Sequence, residues 1–262
     1  MPTTLRSRYG PWALVTGAAH GIGAEFARQL AAAGLDLVLV DVDPAVHAVA
    51  ESLPGARTHP VVLDLRRDDL AAAIAPHLAD RPVGLLISNA GAALTGALLD
   101  HELRSELDVL HLNARAPLQL VHALAPAMVA RGGGGIVLVA STVALNGGPW
   151  IANYAATKAY LVALGDALAI ELRGVVDVQV LAPGMTDTPG LRASMDPGDA
   201  PLPPMTAQAV VRTCLQDLGR RHLVIPGAIN KLSTGLSRFL LPRALRHRLM
   251  ASRRVRPFRQ DG

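Results

Sequence analysis

Short apolar runs recur along the chain, and longer amphipathic stretches separate them. WALVT at 12–16, LDLVLVD at 35–41, HPVVLDL at 59–65 and VGLLISNAG at 83–91 read as strands. GGIVLVAS at 134–141, VDVQVLAPG at 176–184 and RHLVIPG at 221–227 complete a set of about seven. Most show little polar alternation, as expected of strands buried on both faces. Between them lie helical patterns: an Ala-rich stretch to about Ala33 stopped by Gly34, a long segment over 103–130, and another over 154–173. Strands alternating with helices predict an α/β fold: a single doubly wound Rossmann-type domain, its central parallel sheet covered by helices on both faces. The expected domain covers residues 1–230 and includes a Pro- and Met-containing insertion at 185–205, a candidate lid or long surface loop. Residues 231–262 form a separate extension.

Composition changes this picture in three places. Aromatic residues are only 3% of the chain, so the core must be built from Ala, Leu and Val. Cys214 is the single cysteine, which excludes an intrachain disulfide and a cysteine metal cluster. The formal net charge of +4 is unevenly placed. Residues 1–230 carry 16 Lys or Arg against 20 Asp or Glu, whereas residues 231–262 carry nine basic residues and one acidic. The body therefore gives no case for nucleic-acid binding. The N-terminus lacks a secretory apolar region, and no apolar run reaches the ~20 residues of a spanning helix. A soluble, cytoplasmic protein is expected.

The first strand runs directly into Gly17, Gly21 and Gly23. Glycines there permit a tight turn and close approach of a pyrophosphate to the N-terminus of the next helix. Tight turns need glycine for structural reasons alone, so this is weak evidence by itself. Asp41 ends the second strand, where a carboxylate can accept hydrogen bonds from both adenosine ribose hydroxyls and repel a 2′-phosphate. Val42 follows it, and no basic residue stands there to answer such a phosphate. NAD is favoured over NADP, although Asp43 leaves open that Asp41 only belongs to an acidic turn. Asp64, after the third strand, either caps a local amide or touches adenine.

Tyr154 and Lys158 are four residues apart on a predicted helix and so share a face. A nearby ammonium favours phenolate, so the tyrosine pKa is expected to fall. Ser141 follows the fifth strand, 13 residues before Tyr154, and can hold a substrate oxygen or merely cap a turn. Thr142 is its neighbouring rival.

Taken together, these segments resemble the short-chain dehydrogenase/reductase family over residues 10–230. TGAAHGIG at 16–23 resembles its cofactor turn, and SNAG at 88–91 its Asn-Asn-Ala-Gly segment with Ser88 replacing the first Asn. YAATK at 154–158 resembles its Tyr-x-x-x-Lys signature, and PGMTDT at 183–188 its Pro-Gly segment. The resemblance implies a catalytic set of Asn113, Ser141, Tyr154 and Lys158, with Asn113 helping to hold a proton-relay water. It implies cofactor contacts from Gly17, His20, Gly21, Ile22, Gly23, Asp41, Asp64 and Leu65. Asn89, Ala90, Gly91, Tyr154, Lys158, Pro183, Gly184, Thr186 and Thr188 complete that set. Read from sequence alone, Asn113 is only a local polar group.

The expected activity is NAD-dependent interconversion of a secondary alcohol and a ketone, with no catalytic metal. Leu94, Leu145 and Trp150 add candidate apolar surface for a lipophilic substrate. An NADPH-dependent carbonyl or 3-oxoacyl reductase and a nonenzymatic dinucleotide-binding protein are the alternatives. The resemblance also implies a homodimer or homotetramer. The tail, with Leu236, Phe239, Leu240, Leu241, Leu245 and Leu249 among arginines, suits contact with an anionic membrane surface, protein packing, or a disordered basic end.

Overall fold

A computed structural model describes residues 5–194, 203–237 and 245. Helix α1 (Leu5–Tyr9) leads into β1 (Trp12–Thr16), α2 (Gly21–Ala32), β2 (Asp36–Asp41), α3 (Val46–Glu51) and β3 (Thr58–Val62). Then come α4 (Leu70–Leu78), β4 (Val83–Ser88), α5 (Leu103–Leu110), a π-helical turn (His111–Arg115), α6 (Ala116–Ala130) and β5 (Gly134–Val139). The chain continues through α7 (Ala152–Glu171), β6 (Val176–Leu181), β7 (Thr186–Asp187), α8 (Pro189–Ser194), β8 (Met205–Thr206), α9 (Ala207–Asp217), β9 (Leu223–Val224) and α10 (Ala228–Gly235).

Seven strands form one sheet in the order β3-β2-β1-β4-β5-β6-β9. Every pairing in it is parallel. The predicted fold class is therefore the observed one. Successive strand residues point to opposite faces. On one side Val15, Leu39 and Ile87 pack with Phe26 of α2 and Val211 of α9. On the other, Leu14, Val38 and Leu86 pack with Ile74 of α4, Leu120 of α6 and Leu161 of α7. Leu and Val supply most of both layers, as the scarcity of aromatics required.

The order reverses between β1 and β4, which opens a crevice at their C-terminal ends. Several strands are shorter than their apolar runs. β3 ends at Val62, β4 at Ser88, β5 at Val139 and β6 at Leu181; β9 keeps only two residues. The residues beyond leave the sheet and wall the crevice. The long helical segment over 103–130 is also divided, because the π turn at His111–Arg115 interrupts it. Helix α7 starts at Ala152, two residues before the predicted start. It packs close to β6 at Gly165, where an added Cβ would lie 2.2 Å from Val180 Cγ2.

β7 and β8 pair to each other and bracket the insertion, of which residues 195–202 lie outside the described residues. Helix α10 runs across residue 230 and exposes Ile229, Leu232 and Leu236. Leu245 is exposed as well. Phe239, Leu240, Leu241 and Leu249 of the tail lie outside the described residues. Among the described residues, no helix is long and apolar enough to cross a membrane.

Candidate active site

The crevice is a cavity of about 1110 Å³ at the C-terminal edge of the sheet. At one end the chain leaves β1 through Gly17, whose φ of 65° lies in the left-handed region that favours glycine. An added Cβ there would meet Ala90 Cα at 2.8 Å, and one on Gly23 would strike the Gly17 carbonyl at 1.8 Å. Tight packing behind this turn, rather than ligand contact, explains Gly23, which is not in the cavity wall. Asn89 fastens the turn from β4: its Nδ2 donates to the carbonyls of Thr16 (2.9 Å) and Gly17 (3.1 Å). Thr16 Oγ1 accepts the amides of Asn89 and Ala90. The turn thus presents the N-terminus of α2 to the cavity.

Asp41 braces the same turn. Its Oδ2 accepts from the Ala19 amide at 2.9 Å, and its Oδ1 accepts from the Asp43 amide at 3.0 Å. A carboxylate has about four acceptor positions, so two stay available to hydroxyls in the cavity. His20 pairs with Asp43 at 2.7 Å. Asp64 accepts from the Arg66 amide and guanidinium, and Arg66 also reaches Asp108 at 3.0 Å. The Arg66 hydrogen bond holds the Asp64 carboxyl below its ordinary value against the opposing effect of burial. Asp64 thus caps its own turn and, with Leu65, also stands on the cavity wall.

At the other end stand Ser141, Tyr154 and Lys158, all on the cavity wall. Ser141 caps the short 3-10 turn Thr142–Leu145 and lies beside the Tyr154 hydroxyl, where it favours phenolate. Lys158 is buried; its Nζ donates to the Val139 carbonyl at 2.8 Å and sits 5.7 Å from the Tyr154 ring centroid. The sequence predicts that this ammonium lowers the phenol pKa, and the structure corrects that direction. Burial pushes the Tyr154 phenol up, and Ser141 only partly opposes it. Burial also pulls the Lys158 ammonium down to about 8. Desolvation disfavours both charged forms.

Asn113 sits in the π turn and is fully buried behind the wall. Its Oδ1 accepts from the Ala92 amide at 2.9 Å, and its Nδ2 donates to the Ala92 carbonyl (2.8 Å) and Thr157 Oγ1 (3.0 Å). A Cβ on Gly91 would meet both Lys158 Nζ (3.0 Å) and Asn113 Oδ1 (3.1 Å), so these groups flank one small space. Such π turns recur at functional sites.

His20, Gly21, Ile22, Ala90, Gly91, Pro183, Gly184, Thr186 and Thr188 also line the cavity. Thr186 Oγ1 donates to the Gly184 carbonyl at 3.0 Å, and the Thr188 methyl leans over Gly21. Leu145 and Trp150, expected as apolar wall, are not in it. Ile151, Val109, Leu112, Met185 and Leu191 take that place beside Leu94. Nothing in the sequence marked Val109 and Leu112, because their exposure depends on how α5 meets α7. The residues present fit a dinucleotide, since the glycine cradle, the helix terminus and the spare Asp41 acceptors lie in one continuous cavity.

The short chain dehydrogenase family model matches residues 11–197. A very-long-chain 3-oxoacyl-CoA reductase of Laccaria bicolor is 34% identical over 64% of this chain; the alignment spans 52% of that protein, about half its length. An inactive hydroxysteroid dehydrogenase-like protein 1 of Rattus norvegicus is 32% identical over 80% of this chain and 67% of its own. Among solved structures, a 7β-hydroxysteroid dehydrogenase superposes with a TM-score of 0.85 at 26% identity, covering 95% of this chain and 100% of that one. A short-chain dehydrogenase from Sphingobium yanoikuyae in complex with NADPH gives 0.79 at 31% identity, over 97% and 98%. Sequence match and fold agree: the chain belongs to the short chain dehydrogenase family of oxidoreductases.

Proposed function

We propose that the protein is an NAD-dependent oxidoreductase that interconverts a lipophilic secondary alcohol and its ketone. The observation that carries this reading is the convergence of Ser141, Tyr154 and Lys158 on one end of a cavity whose other end is the glycine turn and Asp41. The nicotinamide cofactor supplies the hydride acceptor in oxidation and the hydride donor in reduction. In oxidation, phenolate at Tyr154 accepts the proton of the alcohol hydroxyl. In reduction, the Tyr154 phenol returns it to the carbonyl oxygen. Ser141 donates a hydrogen bond to that oxygen. Lys158, close to Asn113 across Gly91, passes protons toward solvent through a water that the π turn helps to hold.

Asp41 supports NAD. The cationic side chains on the wall are Arg66 and Lys158, and the His20 imidazole stands there too. Arg66 is bound to two carboxylates, His20 pairs with Asp43, and Lys158 lies at the opposite end. Among the described wall residues, each basic group near Asp41 already has an acidic partner, which favours NAD without a 2′-phosphate. The apolar wall supports a lipophilic substrate. Leu103, Leu107 and Leu110, exposed along α5, support a homodimer or homotetramer.

A fluorescence titration of NADH against NADPH tests the cofactor, with tighter NADH binding expected. Tighter NADPH binding would transfer the reading to an NADPH-dependent carbonyl or 3-oxoacyl reductase. A Tyr154→Phe protein should bind NADH normally yet turn over no alcohol; turnover at the wild-type rate would remove Tyr154 from the chemistry.

A further inference from the structure

Beside the cavity, but outside its wall, His101 bridges two acceptors. Its Nδ1 lies 2.6 Å from Glu106 Oε1, and its Nε2 lies 3.2 Å from the Thr95 carbonyl oxygen. The other Glu106 oxygen, Oε2, accepts from Asn153 Nδ2 at 2.6 Å, and the Glu106 carbonyl accepts from the same Nδ2 at 2.7 Å. A neutral imidazole donates from one nitrogen only, whereas an imidazolium donates from both. With a carboxylate on one side and a carbonyl on the other, the cation satisfies the whole set.

The network joins three segments that meet at the reaction end. Thr95 and Leu94 belong to the cavity wall. Glu106 is on α5, and Asn153 stands in the first turn of α7 immediately before Tyr154. The wall segment is also tied at Ala92 by Asn113 and at Gly96, whose amide donates to the Trp150 carbonyl at 2.8 Å. Gly96, at φ 130°, leaves the space that His101 fills: an added Cβ would meet Nε2 at 3.1 Å. The His101 and Glu106 side chains are 18% and 11% exposed, so water competes little for either.

We propose that His101 is a positioning residue which, as an imidazolium held between Glu106 and the Thr95 carbonyl, sets the Leu94–Thr95 wall against Tyr154. This rests on the alcohol–ketone reading of the site. Glu106 on α5 and Asp100 in the preceding segment are the charges that act on the ring. The Glu106 hydrogen bond is the largest influence and raises the imidazole pKa; burial opposes it, and the Thr95 carbonyl and both carboxylates add to the rise. With Glu106 ionised, the imidazolium clamp therefore persists to higher pH than a free imidazole would allow and is lost as pH rises through the raised value. Once deprotonated, the ring keeps one N–H and turns a lone pair toward the second acceptor.

Steady-state kinetics and NMR on the full chain test this. His101→Gln and the near-isosteric Glu106→Gln should raise KM for a bulky secondary alcohol by about tenfold, the scale of one charged hydrogen bond, with a much smaller change in kcat. NADH affinity should stay close to wild type, because the glycine turn and Asp41 lie at the far end of the cavity. The wild-type KM should rise with pH, and that rise should vanish in His101→Gln. An unchanged KM, or the same KM profile in the variant, overturns the proposal. The His101 ring signal should titrate at higher pH in wild type than in Glu106→Gln; coincident curves overturn it. The NMR result stands whether or not any alcohol is turned over, whereas an alcohol panel with no turnover at all counts against the proposed activity alone.

Discussion

At Asp41, two backbone amides and a free acceptor edge coexist on one carboxylate. Asp41→Ala should weaken NADH binding and reduce the NADH-to-NADPH preference by roughly ten- to hundredfold, the worth of one or two charged hydrogen bonds. Parallel titrations read this directly, and an unchanged preference would show that Asp41 only braces the turn. Tyr154 and Lys158 are expected to share the pH dependence of the proposed reaction, with the Lys158 ammonium, at about 8, titrating inside the measured range. Because burial raises the Tyr154 pKa, the phenol form dominates at neutral pH and suits proton donation to a ketone. Oxidation needs the phenolate, so alcohol oxidation should accelerate as pH rises above neutrality while ketone reduction does not. Initial rates from pH 6 to 10 check the sign. The Tyr154–Lys158 pair of the proposed site was legible because residues four apart on a helix share a face; Ser141 rested on its place after β5, and Asn113 on the family resemblance alone. The ionisation of the pair was not legible, because it depends on how deeply α7 is buried. Asp64 was open to two readings in the sequence, and in the structure it both caps its turn and lines the cavity.

At the scale of elements, the strands were readable because β1, β2, β4 and β5 are uninterrupted apolar runs. Their ends were not, because the same runs continue into loops that are also buried, against the cavity. The division of 103–130 had one marker, Pro117 just past the π turn, which has no N–H to bond the Asn113 carbonyl four residues back. Tertiary contacts, chiefly Asn113 with Ala92 and Thr157, also hold the turn. Asn113→Ala would leave the Ala92 amide and carbonyl without partners. We expect a loss of about 2 kcal/mol or more in urea unfolding, with faster hydrogen exchange at Ala92. Equal stability would mean the turn is set by the backbone alone. Gly23→Ala should cost about 1–3 kcal/mol by overpacking α2 against β1, read as a lowered Tm.

Across the whole molecule, charge and packing are anchored at the sheet edge opposite the cavity. Asp36, at the start of β2, binds the Arg57 side chain and amide and lies near Arg6 of α1. Burial works against its charge, but these partners outweigh it and hold the carboxyl below its ordinary value. A depressed folded pKa gives stability that is present above the unfolded value and is lost as pH falls through the folded one. Asp36→Asn should therefore cost about 1–2 kcal/mol at neutral pH, and the difference from wild type should close in acid. Tyr9 of α1, buried and donating to Asp177 Oδ2 at 2.7 Å, ties the same edge to β6. That helix was not foreseen, because its five residues carry no apolar period.

The all-parallel strand order also dictates how the chain assembles. β1 is made first, yet Trp12 pairs with Val83 only after β2, β3 and their helices have formed or been bypassed. Parallel strands need long crossovers, so the chain must lose loop entropy before these contacts repay it. During that interval one edge of β1 offers unpaired amides and carbonyls to any other chain. Refolding should be slow, and its yield should fall with protein concentration even where the native Tm does not. Pulse-labelled exchange should protect the amides bonded between β1 and β2 before those bonded between β1 and β4.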